Sequence, residues 1–439
     1  MPRKKKAEQP KPHTALGSIF ARYRSSIADL REFFAQLYPI ATDFDTARVE
    51  AQDEEQRQLV KSFVRGLGRE RAQQLALELT ELVDFLKKAS GKPDKALEIT
   101  PPAGQFLQLV TRLWMRRQRR LPHYELLNRG VLGCLVGSFE VLIANLAREH
   151  YRLHPGAVGN DDKVLSVNEL RQFTSLDDAM DSVLSKRIDD LLRGSVDDWA
   201  KFFEKFDTAT LRSLVPCWDQ WCEIHQRRHL ITHADGVVNR RYLTHVNWGN
   251  VVWPKDAPAV GTRLSVEGEY LALALDLFEA GGILLCQSTW KKLAPDETPV
   301  RLSSIGGLID AVYDQVLNAR WRVAEYVADW GRNDKSGEEG QRLVFTFNRW
   351  LAIKRQGRWA EIAEEVDRFD CSATHPRFEL ARASLRDRPD DFFRAGLVEA
   401  SQLSADVLKE WPIFEEMRAD PRFADAVAVA EAAPPAEQD

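Results

Sequence analysis

The run Gly133-Cys134-Leu135-Val136-Gly137-Ser138-Phe139-Glu140-Val141-Leu142-Ile143 is apolar almost all round and lies in a segment, from about Glu125 to Arg152, with the spacing of a helix. A helix that is apolar on every side must be enclosed by protein or by lipid. The run is shorter than the ~18 residues a membrane span needs, so it predicts the central helix of a bundle. Glu140 is embedded in it, and a carboxylate there calls for an arginine or histidine on a facing helix. Elsewhere apolar residues return every three or four positions and alternating strand patterns are scarce. The expected fold is therefore all-α, a central helical bundle flanked by an N-terminal helical region and a C-terminal helical, repeat-like region.

In chain order, Arg3-Lys4-Lys5-Lys6 among prolines marks residues 1–14 as a disordered basic tail. Residues 15–100 form an N-terminal helical region. The period is clear from Leu16 to Tyr38 and again from Gln56 to Leu86, with Pro39 expected to stop the first run. Gly91-Lys92-Pro93 and Thr100-Pro101-Pro102 punctuate the chain near a domain boundary. The arginines Arg112, Arg116, Arg117, Arg119 and Arg120 read as the solvated face of a helix over 104–120.

Residues 121–290 form the central domain, and within it Leu165 to Leu170 and Ser175 to Asp178 both look like helix starts. Asp197-Asp198-Trp199 begins another segment, Trp253-Pro254 to Gly261 is a loop, and Ser265 caps a helix running to Cys286. Residues 301–427 form the C-terminal region, with helices near 303–330, 339–356 and 358–369 and a pair near 376–400. Residues 428–439 form a second disordered tail. Trp350 to Trp359, with its Gly357 turn, and Phe378 to Ala383, with its small alanines, resemble tetratricopeptide-type repeats, which implies a surface for a protein partner.

Hydrophobic residues make up 44% and charged residues 29% of the 439, the balance of a globular protein, and the length allows two or three domains. A net charge of −5 excludes a surface that binds polyanions everywhere but permits a local basic cleft. Cys134, Cys217, Cys222, Cys286 and Cys371 are scattered and mostly set in apolar runs, the pattern of buried thiols in a reducing compartment. With no signal-peptide core and no spanning run, a cytoplasmic location and no membrane partner are expected.

The stretch from Trp221 to Leu243 carries the chemistry. Three of the nine histidines, His225, His229 and His233, lie in what reads as the last turns of a helix closed by Asp235-Gly236. Their stripe suggests a metal site, but the outer two are ~12 Å apart along the helix, too far for one zinc ion, and no His-Glu-x-x-His occurs. No metal or cofactor is expected, and His225 reads as a packing or surface residue.

Arg228-His229-Leu230-Ile231-Thr232-His233, with Asp235-Gly236 and Asn239-Arg240-Arg241-Tyr242-Leu243 behind it, resembles the signature of the HEPN superfamily. The resemblance covers roughly residues 123 to 290, where the Ser138-Phe139-Glu140 helix is similar to the first helix of HEPN proteins of bacterial anti-phage defence. The spacing alone is unspecific, for Arg240 and His245 repeat it. The polar second position, the apolar spacer, the Asp-Gly stop and the Asn-Arg-Arg-Tyr-Leu continuation distinguish the copy at Arg228.

Metal-free RNA cleavage uses the 2′-hydroxyl as nucleophile, so the site must move protons and stabilise charge on phosphate. Histidine suits the first task near neutral pH and the arginine fork the second. These expectations make His233 the general acid/base, Arg228 the phosphate clamp and His229 an orienting or secondary acid/base group. Arg227, Arg240 and Arg241 are expected to bind substrate, with Glu140 and Asp235 in support. Arg228 and His233 stand about 140° apart around the helix, whereas His229 and His233 share a face. One copy is thus an incomplete pocket, and the resemblance implies a homodimer that joins two. The implied activity is a defence or stress endoribonuclease giving a 2′,3′-cyclic phosphate and a 5′-hydroxyl. A non-catalytic HEPN module that binds RNA or nucleotide, or acts as an adaptor, remains the alternative.

Overall fold

The computed structural model describes residues 12–88, 100–118, 121–154, 156, 171–205, 211–293, 305–335 and 337–432. The basic run Arg3 to Lys6, the punctuation at 91–93, Arg119 and Arg120, the helix start at 165–170 and the last residues from 433 lie outside them. The fold is all-α. Among the described residues the sole departure from helix and loop is an isolated antiparallel bridge between Val237 and Arg263. The chain divides into two compact units, one of residues 31–131 with 265–267, the other of the remainder.

Helix α1 (Pro12–Leu67) belongs to the smaller unit from Arg31 onward, and there it continues through Pro39, where the sequence predicts a stop. Proline costs a helix the hydrogen bond to the carbonyl four residues back, here that of Ala35. Ala35 and Pro39 are both exposed, so water can take that place. The Thr42 hydroxyl also donates to the carbonyls of Pro39 and Tyr38, at 2.7 and 3.1 Å. Next come α2 (Arg69–Lys88) and α3 (Pro101–Gln118), then α4 (His123–Leu153). Asp45 receives the Tyr124 amide at 3.0 Å and the His123 Nδ1–H at 2.8 Å, which ties down the start of α4. In the same turn the Glu125 carboxylate accepts the Val266 amide at 2.9 Å, and Asn128 in the next donates to the Val266 carbonyl at 2.7 Å.

The larger unit holds the site. Its helices begin with α5 (Leu176–Arg193), started by Ser175 as the sequence indicates, and α6 (Val196–Glu204), started by Ser195 two residues before Asp197, where the sequence predicts the segment to begin. Ser175 accepts the Asp178 amide, and Ser195 and Asp198 form a reciprocal capping box. After α7 (Leu211–Leu214) come α8 (Trp218–Ala234), α9 (Arg240–Thr244) and α10 (Gly268–Leu293). Ser265 does not cap α10, which starts three residues later; its hydroxyl donates to Glu267 instead, at 3.4 Å.

The N-terminal part of α1 lays Leu16, Phe20, Tyr23 and Ile27 into this unit, and Tyr23 donates to the Phe278 carbonyl at 2.6 Å. Phe139 on α4, Trp221 on α8 and Phe278 on α10 meet with ring centroids 4.9 to 5.5 Å apart. Each fully buried ring of this size contributes roughly 1.5–3 kcal/mol, so this contact decides how α4, α8 and α10 assemble.

The helix read as central, α4, has a solvent face. Cys134 and Val141 are exposed, and Gly133 and Gly137 open onto free space. It is α10 that is enclosed, buried continuously from Leu277 to Trp290. Both are long and apolar enough by composition to cross a membrane, although no uninterrupted apolar run reaches that length, because averaging over a window tolerates Glu140 and Asn145 where a run does not. Within the fold 83% of that window in α10 is buried, and 56% in α4. The cysteines also depart from expectation: Cys286 is buried, whereas Cys134 and Cys217 are exposed.

The helix expected over 303–330 is two, α11 (Ile305–Leu317) and α12 (Trp321–Arg332). Ala319 breaks it at φ 54°, with neither glycine nor proline to announce the turn. α12 packs along α13 (Glu339–Arg355), where a Cβ on Gly331 would overlap the Phe345 ring. Gly357 then turns the chain at φ 75°. Short helices follow at Ala363–Arg368, Pro376–Leu385, Pro389–Phe392, Leu397–Ser401 and Ala405–Glu410. A last helix, Phe423–Ala432, runs into the stretch expected to fray.

Candidate functional site

Helix α8 positions the motif, and its two sides have opposite chemistry. On the inner side Glu223 is fully buried and collects four donors. Arg227 Nε donates at 2.8 Å, the Tyr242 hydroxyl at 2.5 Å, the Tyr270 hydroxyl at 2.8 Å and Gln220 Nε2 at 3.0 Å. The Arg227 guanidinium also lies 4.0 Å from the centroid of the Tyr270 ring. Burial, and then the Glu223 charge, push the Tyr242 hydroxyl well above its ordinary pKa. Arg227, expected to bind substrate, is 3% exposed and committed to this network, so it cannot reach a ligand. Helical spacing explains the correction: Glu223 and Arg227 are four residues apart and share the face that turns to α10.

His225 is buried too, packed against Trp221, Trp199, Phe278 and Phe139 with centroid separations of 4.2 to 6.4 Å. Burial, reinforced by the nearby Arg228 charge, pushes its pKa down to about 3. It is a neutral core residue at ordinary pH, and its Nε2 has no hydrogen-bond partner among the described residues.

The outer side carries Arg228, His229 and His233. Arg228 forms an ion pair with Glu140 of α4, and the two side chains are 27% and 31% exposed. The pair lines a cleft of about 300 Å³ with His229, Gln226, the turn Arg193 to Val196 between α5 and α6, and Trp199. Arg241, in the first turn of α9, and His245, its C-cap, line it as well. His233 does not line this cleft. It lines an adjoining one of about 210 Å³, with Asn239, Tyr242 and again Gln226, His229 and Arg241. His229 and Arg241 therefore stand between the two spaces, and the His229 and His233 rings are 4.5 Å apart. Partial burial, then the charges of His233, Arg241, Arg228 and His245, hold the His229 pKa below its ordinary value.

The residues after the motif explain how α9 arrives there. Asp235 and Gly236 both take left-handed backbone, at φ 52° and 77°, which ends α8 and reverses the chain. Asp235 pairs with Arg263, and the Leu264 amide donates to the Gly236 carbonyl at 2.9 Å, so its part is to hold the turn. Asn239 caps α9 by accepting the Tyr242 amide at 2.9 Å. Tyr242 is then fixed on Glu223, and this orients Arg241 to the clefts; Arg240 is exposed and lines neither. Sequence reasoning passes over His245 as a chance repeat of the spacing. Its signal is its place four residues after Arg241, on the same helical face.

Comparison with family models, with curated proteins and with solved structures returned no match. The fold and the site thus define an all-α protein with a cationic double cleft.

Proposed function

We propose that this protein is a metal-independent endoribonuclease of the HEPN type, acting in bacterial defence or stress. The observation that carries the reading is the arrangement of cationic and imidazole groups around two neighbouring clefts, with Arg228 lining the larger, His233 the smaller, and His229 and Arg241 lining both. A guanidinium and imidazoles in reach of one phosphodiester are the groups that 2′-hydroxyl attack requires. The products are a 2′,3′-cyclic phosphate and a 5′-hydroxyl.

A homodimer is part of the proposal, because Arg228 and His233 of one chain line different clefts. A second copy of α8 would bring the missing partner to each. The C-terminal helices, with their likeness to tetratricopeptide repeats, would then receive the activating protein, and the enzyme would act in the cytoplasm.

Purified protein incubated with total RNA in EDTA tests the activity. Cleavage that disappears in Arg228→Ala and His233→Ala supports it, whereas binding without cleavage leaves a non-catalytic RNA-binding module. Light scattering after size exclusion tests the assembly, and an active monomer would refute the composite site.

A further inference from the structure

His245 is exposed at the end of α9, and its Nδ1 lies 2.8 Å from the Arg241 carbonyl oxygen. A carbonyl only accepts, so Nδ1 carries the hydrogen and donates it. That bond fixes the ring and leaves the lone pair of the neutral imidazole on Nε2. The same ring lines the cleft that contains the Arg228–Glu140 pair and His229. His233, the histidine of the motif, faces the adjoining cleft.

We propose that His245 is a catalytic base of the Arg228 cleft, supplied by the same chain, with a single-stranded RNA phosphodiester as substrate. The inference rests on the ribonuclease reading. His245 Nε2 takes the proton of the 2′-hydroxyl, the 2′-oxygen forms its bond to phosphorus, and the bond from phosphorus to the 5′-oxygen breaks. The leaving oxygen takes a proton from the fraction of His229 that is imidazolium, a form that partial burial and the surrounding charges disfavour and therefore a strong acid, and Arg228 neutralises the phosphoryl oxygens as charge builds on them. The products are a cyclic phosphate and a free 5′-hydroxyl, and the two imidazoles, left with exchanged protonation, reset through solvent. Each chain thereby supplies a clamp, a base and an acid to one cleft, and the second copy of α8 in the proposed dimer would add its own motif histidine beside them.

The test uses His245→Asn in the full chain. Asparagine places an amide where Nδ1 was, so the bond to the Arg241 carbonyl can persist while the basic nitrogen is lost. Cleavage should fall by roughly 10²- to 10⁴-fold, with RNA affinity and thermal midpoint close to those of the unsubstituted protein. His245→Gln, which keeps a polar group near the Nε2 position but no basic one, should be as inactive. An active His245→Asn protein overturns the role of His245 and leaves the ribonuclease reading standing; an inactive unsubstituted protein overturns both. Mixing differently tagged Arg228→Ala and His245→Asn chains tests the placement in one chain. No recovery of activity is expected, and recovery would show that the two groups act across subunits.

Discussion

The Arg228 guanidinium on α8 is held by the Glu140 carboxylate on α4, and both remain partly open to the cleft they line. A pair this accessible adds little to stability, ~0–1 kcal/mol, so its main effect is to aim the guanidinium. Arg228→Ala should lower RNA cleavage by roughly 10²- to 10³-fold. Glu140→Ala should lower it less, and the double variant should be no worse than Arg228→Ala, because the carboxylate acts through the arginine. Additive losses in that cycle would refute the positioning role.

The Glu223–Arg227 pair should behave in the opposite way. It is buried, with exposures of 0% and 3%, and removing one partner strands the other's charge. Arg227→Leu should cost roughly 3–5 kcal/mol in urea unfolding. An unfolding midpoint almost unmoved by that substitution would instead return Arg227 to the substrate contacts.

His225 makes stability depend on pH. Its folded pKa is about 3 against an ordinary 6.5, so below 6.5 the unfolded chain binds a proton that the folded one refuses. The contribution is fully present above pH 6.5 and is lost as pH falls toward 3, at up to ~1.4 kcal/mol per unit. His225→Phe fits the same aromatic surroundings without a titrating group. Urea midpoints measured between pH 4 and 7 should have a shallower acid slope in that variant, and an unchanged slope would count against the assignment.

Two helical glycines should respond with opposite sign. A Cβ on Gly282 would overlap the Tyr23 ring, which is pinned by its bond to the Phe278 carbonyl, whereas Gly137 faces open space. Alanine in a helix interior gains ~1 kcal/mol over glycine when nothing opposes it. Gly137→Ala should therefore raise the thermal midpoint and Gly282→Ala should lower it. Equal shifts would show that Tyr23 of α1 does not close on α10.

Local patterns are legible in the sequence. The Ser175 cap of α5, the Asp235-Gly236 stop and the need of Glu140 for a cationic partner all follow from chemistry within a few residues. Pro39 and Ala319 mislead for the complementary reason. A proline is tolerated where the freed carbonyl meets water, and a helix breaks without glycine when tertiary packing holds the turn.

Sequence alone determined that the chain is helical, and that Arg228, His229 and His233 lie at the end of one helix. It could not decide which groups share a cleft, because that depends on contacts between residues far apart in the chain. The tertiary structure turned Arg227 inward to Glu223, sent His233 to the neighbouring space and brought His245 into the cleft of Arg228. The cause is the Asn239-capped turn of α9, fixed by Tyr242 on Glu223, whose position is set by the packing of α8 against α10.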